Sequence, residues 1–455
     1  MSAVTFFGLR GLRDPQSPAA RMAEQFSLQN RDLLALLEAR ITTEYDGTEV
    51  RLHLISGNRV GAIPLISPAS ARADFGLVIK PRFPWAGIGP MMSAMGWRVS
   101  PQPMKLPLLK RSERRVPPWV LSSMILTRLA AMLKTLERRF ELVQETHAAP
   151  RGRVDWTRYA TGSLPRARFL EVPCVHPDLL DDRALKGAIR HTVELQRRSL
   201  ETQRHHGSHV HRLLDLAEQI EQQVRMVPSY IPSPAVLETW QRRPLRAEAF
   251  INGLQAVEWT IEDRGLAGIS DLAGVPWVLP MDSFFEAWVE SIFTVVARRT
   301  GGRLKVGRKR ETTHPLRWQP SYLGSQSSLQ PDIWLEQENL TVIVDAKYKR
   351  HWEEFQERSW ARMEEQIREH HRNDLLQVLA YANLARTERV AACLIYPCTV
   401  ESWESLRLRS RLVHRAEITL GSRALELWLT AIPISADLEQ VAGPLTEMVR
   451  RAATS

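Results

Sequence analysis

The stretch LQPDIWLEQENLTVIVDAKYKR, residues 329–350, decides how this chain is read. Two apolar runs lie either side of Glu338-Asn339. A hairpin centred there sets Asp332 opposite Asp345, Ile333 opposite Val344, Trp334 opposite Ile343, Leu335 opposite Val342 and Glu336 opposite Thr341. Side chains alternate between the faces of a strand. Ile333, Leu335, Val342 and Val344 therefore share one apolar face, and Asp332, Asp345 and Lys347 share the other. Directly opposed residues hold their Cβ atoms roughly 4.5–5.5 Å apart, where two carboxylates repel unless a cation lies between them. Hard oxygen donors of this kind suit Mg²⁺ or Mn²⁺.

The lysine is informative because lysine is scarce. The chain has nine lysines against fifty-two arginines, and only Lys347 follows a carboxylate by two positions. Where any positive charge would serve, this sequence writes arginine. A lysine on the strand that carries Asp345 is better explained by a need for a compact ammonium point charge. The rival reading is a surface ion pair at the end of a core strand, and the matched hairpin register weighs against it.

Composition narrows the class of protein. With 455 residues, 44% hydrophobic and 25% charged, the chain is an ordinary globular sequence expected to form two or three domains. A net charge of +10 favours an acidic partner such as nucleic acid. Cys174, Cys393 and Cys398 have neither metal-ligand spacing nor an even count, which fits a reducing cytoplasm. No signal peptide is read at the start, and no apolar run is long enough to cross a membrane.

Three regions follow from texture. Residues 1–118 read as a mixed domain, with a helix near 30–40, strands at 49–56 and 76–81, and a Met- and Pro-rich stretch from 82 read as irregular connector or adaptable contact surface. Residues 119–270 read as mainly helical: a helix over 119–145, a strand over 167–175, helices over 182–225 broken at Gly207, a proline linker at Pro228, Pro232 and Pro234, and a helix over 246–263. From 271 to 455 the order is helix 282–299, strands 303–311, 329–336 and 340–348, helices 360–371 and 373–386, and strand 389–397. The expected class is α/β (α+β), with the site in the C-terminal region.

Several side chains outside the hairpin bear on chemistry. Asp282, Glu286 and Glu290 line the polar side of helix 282–299, and Glu290 is read as a solvated face. Gln377 and Tyr381 lie one turn apart on a helix apolar nearly all round, which implies burial and hydrogen-bond partners. Arg303, Lys305, Arg308, Lys309 and Arg310 either grip phosphates or protect an edge strand. His205, His206, His209 and His211 surround a helix break and read as surface histidines. No G-x-x-x-x-G-K-[ST] occurs, so the chain has no P-loop motor of its own.

The acidic residue, hairpin and Asp345-Ala346-Lys347 triplet, in this order of elements, resemble the PD-(D/E)xK nucleases. Within them the chain resembles the McrC family, the nuclease subunit of McrBC-type modification-dependent restriction systems. The likeness is best over 281–397, in MDSFFEAWVE, PDI…VIVDAKYK and DLLQVLAYA. It continues upstream in LVIKPRFP (77–84), with Arg82 in a lysine's place, in PRGRVDW (150–156), and in PDLLDDRALKGAI (177–189), with Asp182 where asparagine is usual. The resemblance implies a Mg²⁺-dependent DNA endonuclease of an antiviral restriction system. Asp332, Asp345, the Ala346 carbonyl and Glu286 would hold the metal, Lys347 would act in catalysis, and Gln377 and Tyr381 would border the site. It implies two partners: methylated double-stranded DNA and a McrB-like AAA+ GTPase contacted by the N-terminal region. The alternatives are a stand-alone nuclease of another defence or repair system, and a non-cleaving activator of an AAA+ ring.

Overall fold

The computed structural model describes residues 3–10, 18–46, 49–83, 85–104, 117–136, 139–180, 183–242, 247–261, 275–322, 324–349, 365–420, 423–434 and 437–454. Asp182 and residues 360–364 of the expected helix 360–371 lie outside them. The chain divides into two compact units. One holds residues 1–121, 205–210 and 265–455; the other holds 122–204 and 211–264.

The first unit is built on a six-stranded mixed sheet. Its strands run in the order Arg303–Val306, Ile333–Glu336, Leu340–Ala346, Arg389–Cys398, Arg423–Pro433, Val413–Leu420. The hairpin has the register read from the sequence: Ile333↔Val344, Trp334↔Ile343, Leu335↔Val342 and Glu336↔Thr341. Gln337 N donates to Leu340 O at 2.9 Å and closes the turn over Glu338-Asn339. Leu340–Ala346 then pairs in parallel with Arg389–Cys398, which pairs in parallel with Arg423–Pro433. Every residue of Leu340–Ala346 is buried, as expected of a central strand covered on both faces.

Trp334, Ile343, Ala392, Leu394 and Tyr396 pack with Val378 and Tyr381 of helix Glu365–Ala382 in one core. Helix Met281–Thr300 buries Phe284, Phe285, Trp288, Val289 and Ile292, the stripe its sequence marked out. It ends at Gly301, whose left-handed backbone (φ 69°) caps the last turn. Arg298 and Arg299 in that turn both reach Glu439 of the C-terminal helix Leu438–Thr454.

The N-terminal part of this unit contributes two further sheets. Ala3–Arg10, Glu49–Ile55 and Arg40–Asp46 form one. Phe75–Ile79, Arg59–Leu65, Trp277–Pro280 and Gln102–Pro103 form the other. Trp277–Pro280 runs straight into helix Met281–Thr300, so this sheet aims the helix that carries Glu286. A Cβ at Gly61 would lie 2.2 Å from the Trp277 carbonyl oxygen, so only glycine permits this strand approach. Over residues 85–95 the Met-rich stretch is neither connector nor contact surface, and its residues 105–116 lie outside the described ones. Trp85–Ala94 is a helix, and Met91, Met92 and Met95 are core residues at 0–2% exposure. Proline at 90 obscures the helical period from which that burial follows.

The second unit is helical but includes a sheet. The expected helix 119–145 is in fact helix Pro118–Thr135 followed by strand Arg139–His147. That strand pairs with Val172–Leu180, which also pairs with Arg153–Val154. Helices Arg183–Glu201, Ser208–Val224, Pro234–Gln241 and Glu248–Ile261 complete the middle region. A polar chain crosses the core of the unit: Ser122 Oγ donates to Gln196 Oε1 (2.9 Å) and Gln196 Nε2 to Thr260 Oγ1 (3.2 Å). Of the four clustered histidines, His205, His206 and His211 are exposed as expected. His209 is buried against Trp119, and burial pushes its pKa down to about 4.

Candidate functional site

Asp332 stands one residue before strand Ile333–Glu336, where the hairpin register carries it opposite Asp345. Its Oδ2 accepts from Ala346 N at 2.8 Å, which holds the two ends of the hairpin together. Backbone contacts brace it from behind. Gly307 N donates to Asp332 O (2.7 Å), and Thr312 Oγ1 donates to Pro331 O (2.6 Å). A Cβ at Gly307 would come within 2.5 Å of Pro331 O, so the brace requires glycine.

Asp345 is 1% exposed. Its Oδ2 lies 2.7 Å from Lys347 Nζ but makes no directed hydrogen bond. The backbone of Lys347 continues the parallel ladder, donating to Ile395 O at 2.9 Å. Asp332, Asp345 and Lys347 are thus brought to the face that also carries Trp334 and Ile343, and Ala346 joins them through its backbone.

The electrostatics describe a crowded acidic site. Burial, then the neighbouring Asp345 and Glu286, push the Asp332 carboxyl well above the usual carboxylate range. Burial also raises Asp345, against the pull of Lys347. Glu286 is raised by burial and then by Asp282 and Asp345. Burial works against the charged form of Lys347, but Asp345, Asp332 and Asp374 outweigh it and raise its pKa. Buried carboxylates that raise one another fit a divalent cation, whose charge lowers the cost of ionising them together. Glu286 stands at the margin: among the described residues, Asp332, Asp345 and Glu286 do not bring three ligand oxygens within 4.8 Å of one another.

Helix Glu365–Ala382 is a single helix, exposed along one side. Leu376 is 58% exposed and Gln377 is exposed too, so the expectation of burial all round is corrected. A helix lying on a sheet needs only the stripe that faces it. Tyr381 is buried, and its hydroxyl accepts from Gln377 Nε2 at 2.8 Å. Burial raises its pKa, and it feels the charges of Asp345, Lys347 and Asp332.

A second layer of polar side chains, unmarked by any motif in the sequence, surrounds these residues. Lys349 Nζ reaches both carboxylate oxygens of buried Asp374 at 2.7 and 2.8 Å. Tyr396 Oη donates to Asp374 Oδ2 (2.9 Å) and lies 3.0 Å from His371 Nδ1. Asp374 sits one turn before Val378 on the helix face turned to the sheet, and that period was its only signal. Glu290, read as solvated, is 3% exposed. Its carboxylate takes Arg98 Nη1 at 2.8 Å and Arg308 Nη2 at 2.9 Å. The basic run therefore splits. Lys305 pairs with Glu336 (2.6 Å) and Arg308 with Glu290, while Arg303, Lys309 and Arg310 are exposed. From the N-terminal part, Asn58 Nδ2 donates to Asp282 Oδ1 (3.0 Å) and Arg82 Nη2 to Asn58 Oδ1 (3.1 Å). The Arg82 guanidinium also lies over the Tyr348 ring, 5.6 Å from its centre.

The solved structures similar to this chain include two of McrBC assemblies. One is the refined half-complex from the tetradecameric assembly of Thermococcus gammatolerans McrB AAA+ hexamers with bound McrC. It is 14% identical over 90% of this chain and 85% of that one, with a TM-score of 0.42. The other, the cryo-EM structure of the Thermococcus gammatolerans McrBC complex, is 12% identical over 60% of this chain and 82% of that one, with a TM-score of 0.27. No curated protein matches. The family described as McrBC 5-methylcytosine restriction system component matches residues 91–397, well over half of the sequence and including every candidate site residue. The chain belongs to the McrBC family of 5-methylcytosine restriction system components.

Proposed function

We propose that this chain is the nuclease subunit of a McrBC-type restriction system, a Mg²⁺-dependent DNA endonuclease that works with a McrB-like AAA+ GTPase. The observation that carries the reading is the hairpin end at which Asp332 Oδ2 accepts from Ala346 N at 2.8 Å, one residue beyond Asp345, with Lys347 Nζ 2.7 Å from the Asp345 carboxylate. Family membership supports the restriction system. The McrB hexamers named with bound McrC suggest the kind of partner.

Asp332, Asp345 and the Ala346 carbonyl would hold the metal, with Glu286 as a further acidic group. The donors are all oxygens, which suits Mg²⁺ or Mn²⁺. Mg²⁺, when bound, supplies Lewis-acid polarisation of the scissile phosphate. Lys347 keeps its proton at neutral pH, since its pKa is raised. Its ammonium orients the attacking water or stabilises charge that develops on the phosphate. Tyr381, oriented by Gln377, places a hydroxyl at the border of the site. Asp374 fixes Lys349 and Tyr396 behind it. Exposed Arg303, Lys309 and Arg310 are available to DNA phosphates.

The test is cleavage of methylated and unmethylated plasmid DNA, with and without Mg²⁺, GTP and the product of a neighbouring GTPase gene. Cutting that needs Mg²⁺, methylation, GTP and the GTPase is expected. Cutting of either DNA by this chain alone would favour a stand-alone nuclease, and none under any condition would favour a non-cleaving activator.

A further inference from the structure

We propose a second metal site, separate from the acidic one, in which Glu145, His147 and His176 bind a transition ion of the Zn²⁺ class. The three residues lie on the paired strands Arg139–His147 and Val172–Leu180. The register sets Val143 opposite His176, Glu145 opposite Cys174 and His147 opposite Val172. Alternation then puts Glu145, His147 and His176 on one face. One ligand atom from each lies within 4.8 Å of the others, the one such trio among the described residues.

The second observation is His176 itself. It is 3% exposed, yet neither ring nitrogen has a hydrogen-bond partner. A neutral imidazole carries one donor and one acceptor, and burying both unmatched is costly. His147 Nε2 also has no hydrogen bond, although Glu145 Oε2 is 3.6 Å away. The two rings lie 5.0 Å apart and are inclined at 63°. Gly152 fixes His176 from behind: in its left-handed conformation (φ +71°), a Cβ there would fall 2.7 Å from His176 Cβ.

Two imidazoles and a carboxylate are a donor set for Zn²⁺, whereas Mg²⁺ takes oxygens. Bonds of about 2.0–2.1 Å to a tetrahedral ion require the ligand atoms to close to roughly 3.3–3.5 Å. Glu145, half-exposed, is free to make that closure. The ion would fasten the end of the strand pair from which the chain leaves at His147 and returns at Val172.

The test uses the full chain without a histidine tag, stripped by chelator and titrated calorimetrically with Zn²⁺ in excess Mg²⁺. One equivalent bound at micromolar affinity or tighter is expected. Glu145→Gln with His147→Gln, both on accessible side chains, should weaken binding by about tenfold or more. His205→Gln with His206→Gln should leave it unchanged. Co²⁺ in the wild-type chain should give paramagnetically shifted signals from two histidines, a readout that does not depend on the variants folding. The proposal is overturned if Zn²⁺ binding is substoichiometric, as for a buried water on His176, if Glu145→Gln with His147→Gln binds as tightly as wild type, or if Co²⁺ shifts no histidine.

Discussion

Asp332 and Asp345 are expensive residues to keep side by side without a cation. Asp332 is raised first by burial and then by its acidic neighbours, so between its unfolded and folded pKa values the folded chain holds the extra proton. Stability linked to this group therefore falls as pH rises through the folded pKa, and the difference vanishes below the unfolded value. Asp332→Asn removes the charge while leaving an oxygen to accept from Ala346 N. We expect this variant to lose Mg²⁺-dependent cleavage yet melt no lower than wild type at pH 7 without metal. Its advantage should shrink as pH falls toward 4, and thermal melts across pH 4–8 measure it. A lower melting temperature at pH 7 would mean that the Asp332 charge serves the fold. The supporting layer should behave in the opposite way. Asp374→Ala removes a carboxylate that both Lys349 and the buried Tyr396 hydroxyl donate to, and should cost about 1–3 kcal/mol in urea unfolding. Its cleavage should fall with stability and recover in part in Asp374→Asn.

Among the elements, the hairpin was legible because three independent constraints agreed: apolar alternation, a polar two-residue tip and the placing of both acids on one face. Helix Met281–Thr300 was legible for the same reason, since its stripe of Phe284, Phe285, Trp288 and Ile292 has one period only. What failed was local propensity overridden by pairing. Residues 139–147 continue a good helical sequence, but a partner at 172–180 turns them into a strand. Glu290 failed because its partners, Arg98 and Arg308, lie outside its helix, the first of them 192 residues away. Arg98, helix Met281–Thr300 and the turn before the hairpin meet at that carboxylate. Glu290→Ala should cost about 1–2 kcal/mol, less than the roughly 3–5 of a fully buried pair, because both guanidinium groups keep a third or more of their exposure. Chemical denaturation followed by tryptophan fluorescence measures it. A change within 0.3 kcal/mol, about the noise of such comparisons, would remove Glu290 from the framework of the site.

At the scale of the molecule, the chain is a member of the McrBC family in which the N-terminal residues and the acidic site belong to one compact unit. Asn58 and Arg82 reach Asp282 and Tyr348 from sequence more than 200 residues away. These contacts tie the N-terminal part of the unit to the helix bearing Glu286. Among the described residues no helix is long and apolar enough to cross a membrane. If the chain is the nuclease proposed, Asp345 is needed for cutting DNA and not for docking to a motor. The most direct test is cleavage of methylated plasmid by wild type and Asp345→Ala, each with Mg²⁺, GTP and the partner GTPase, alongside partner binding and GTP turnover. A loss of cutting of at least about 10²–10³-fold is expected in Asp345→Ala, with partner binding and GTP turnover unchanged. Undiminished cutting by Asp345→Ala would contradict that requirement.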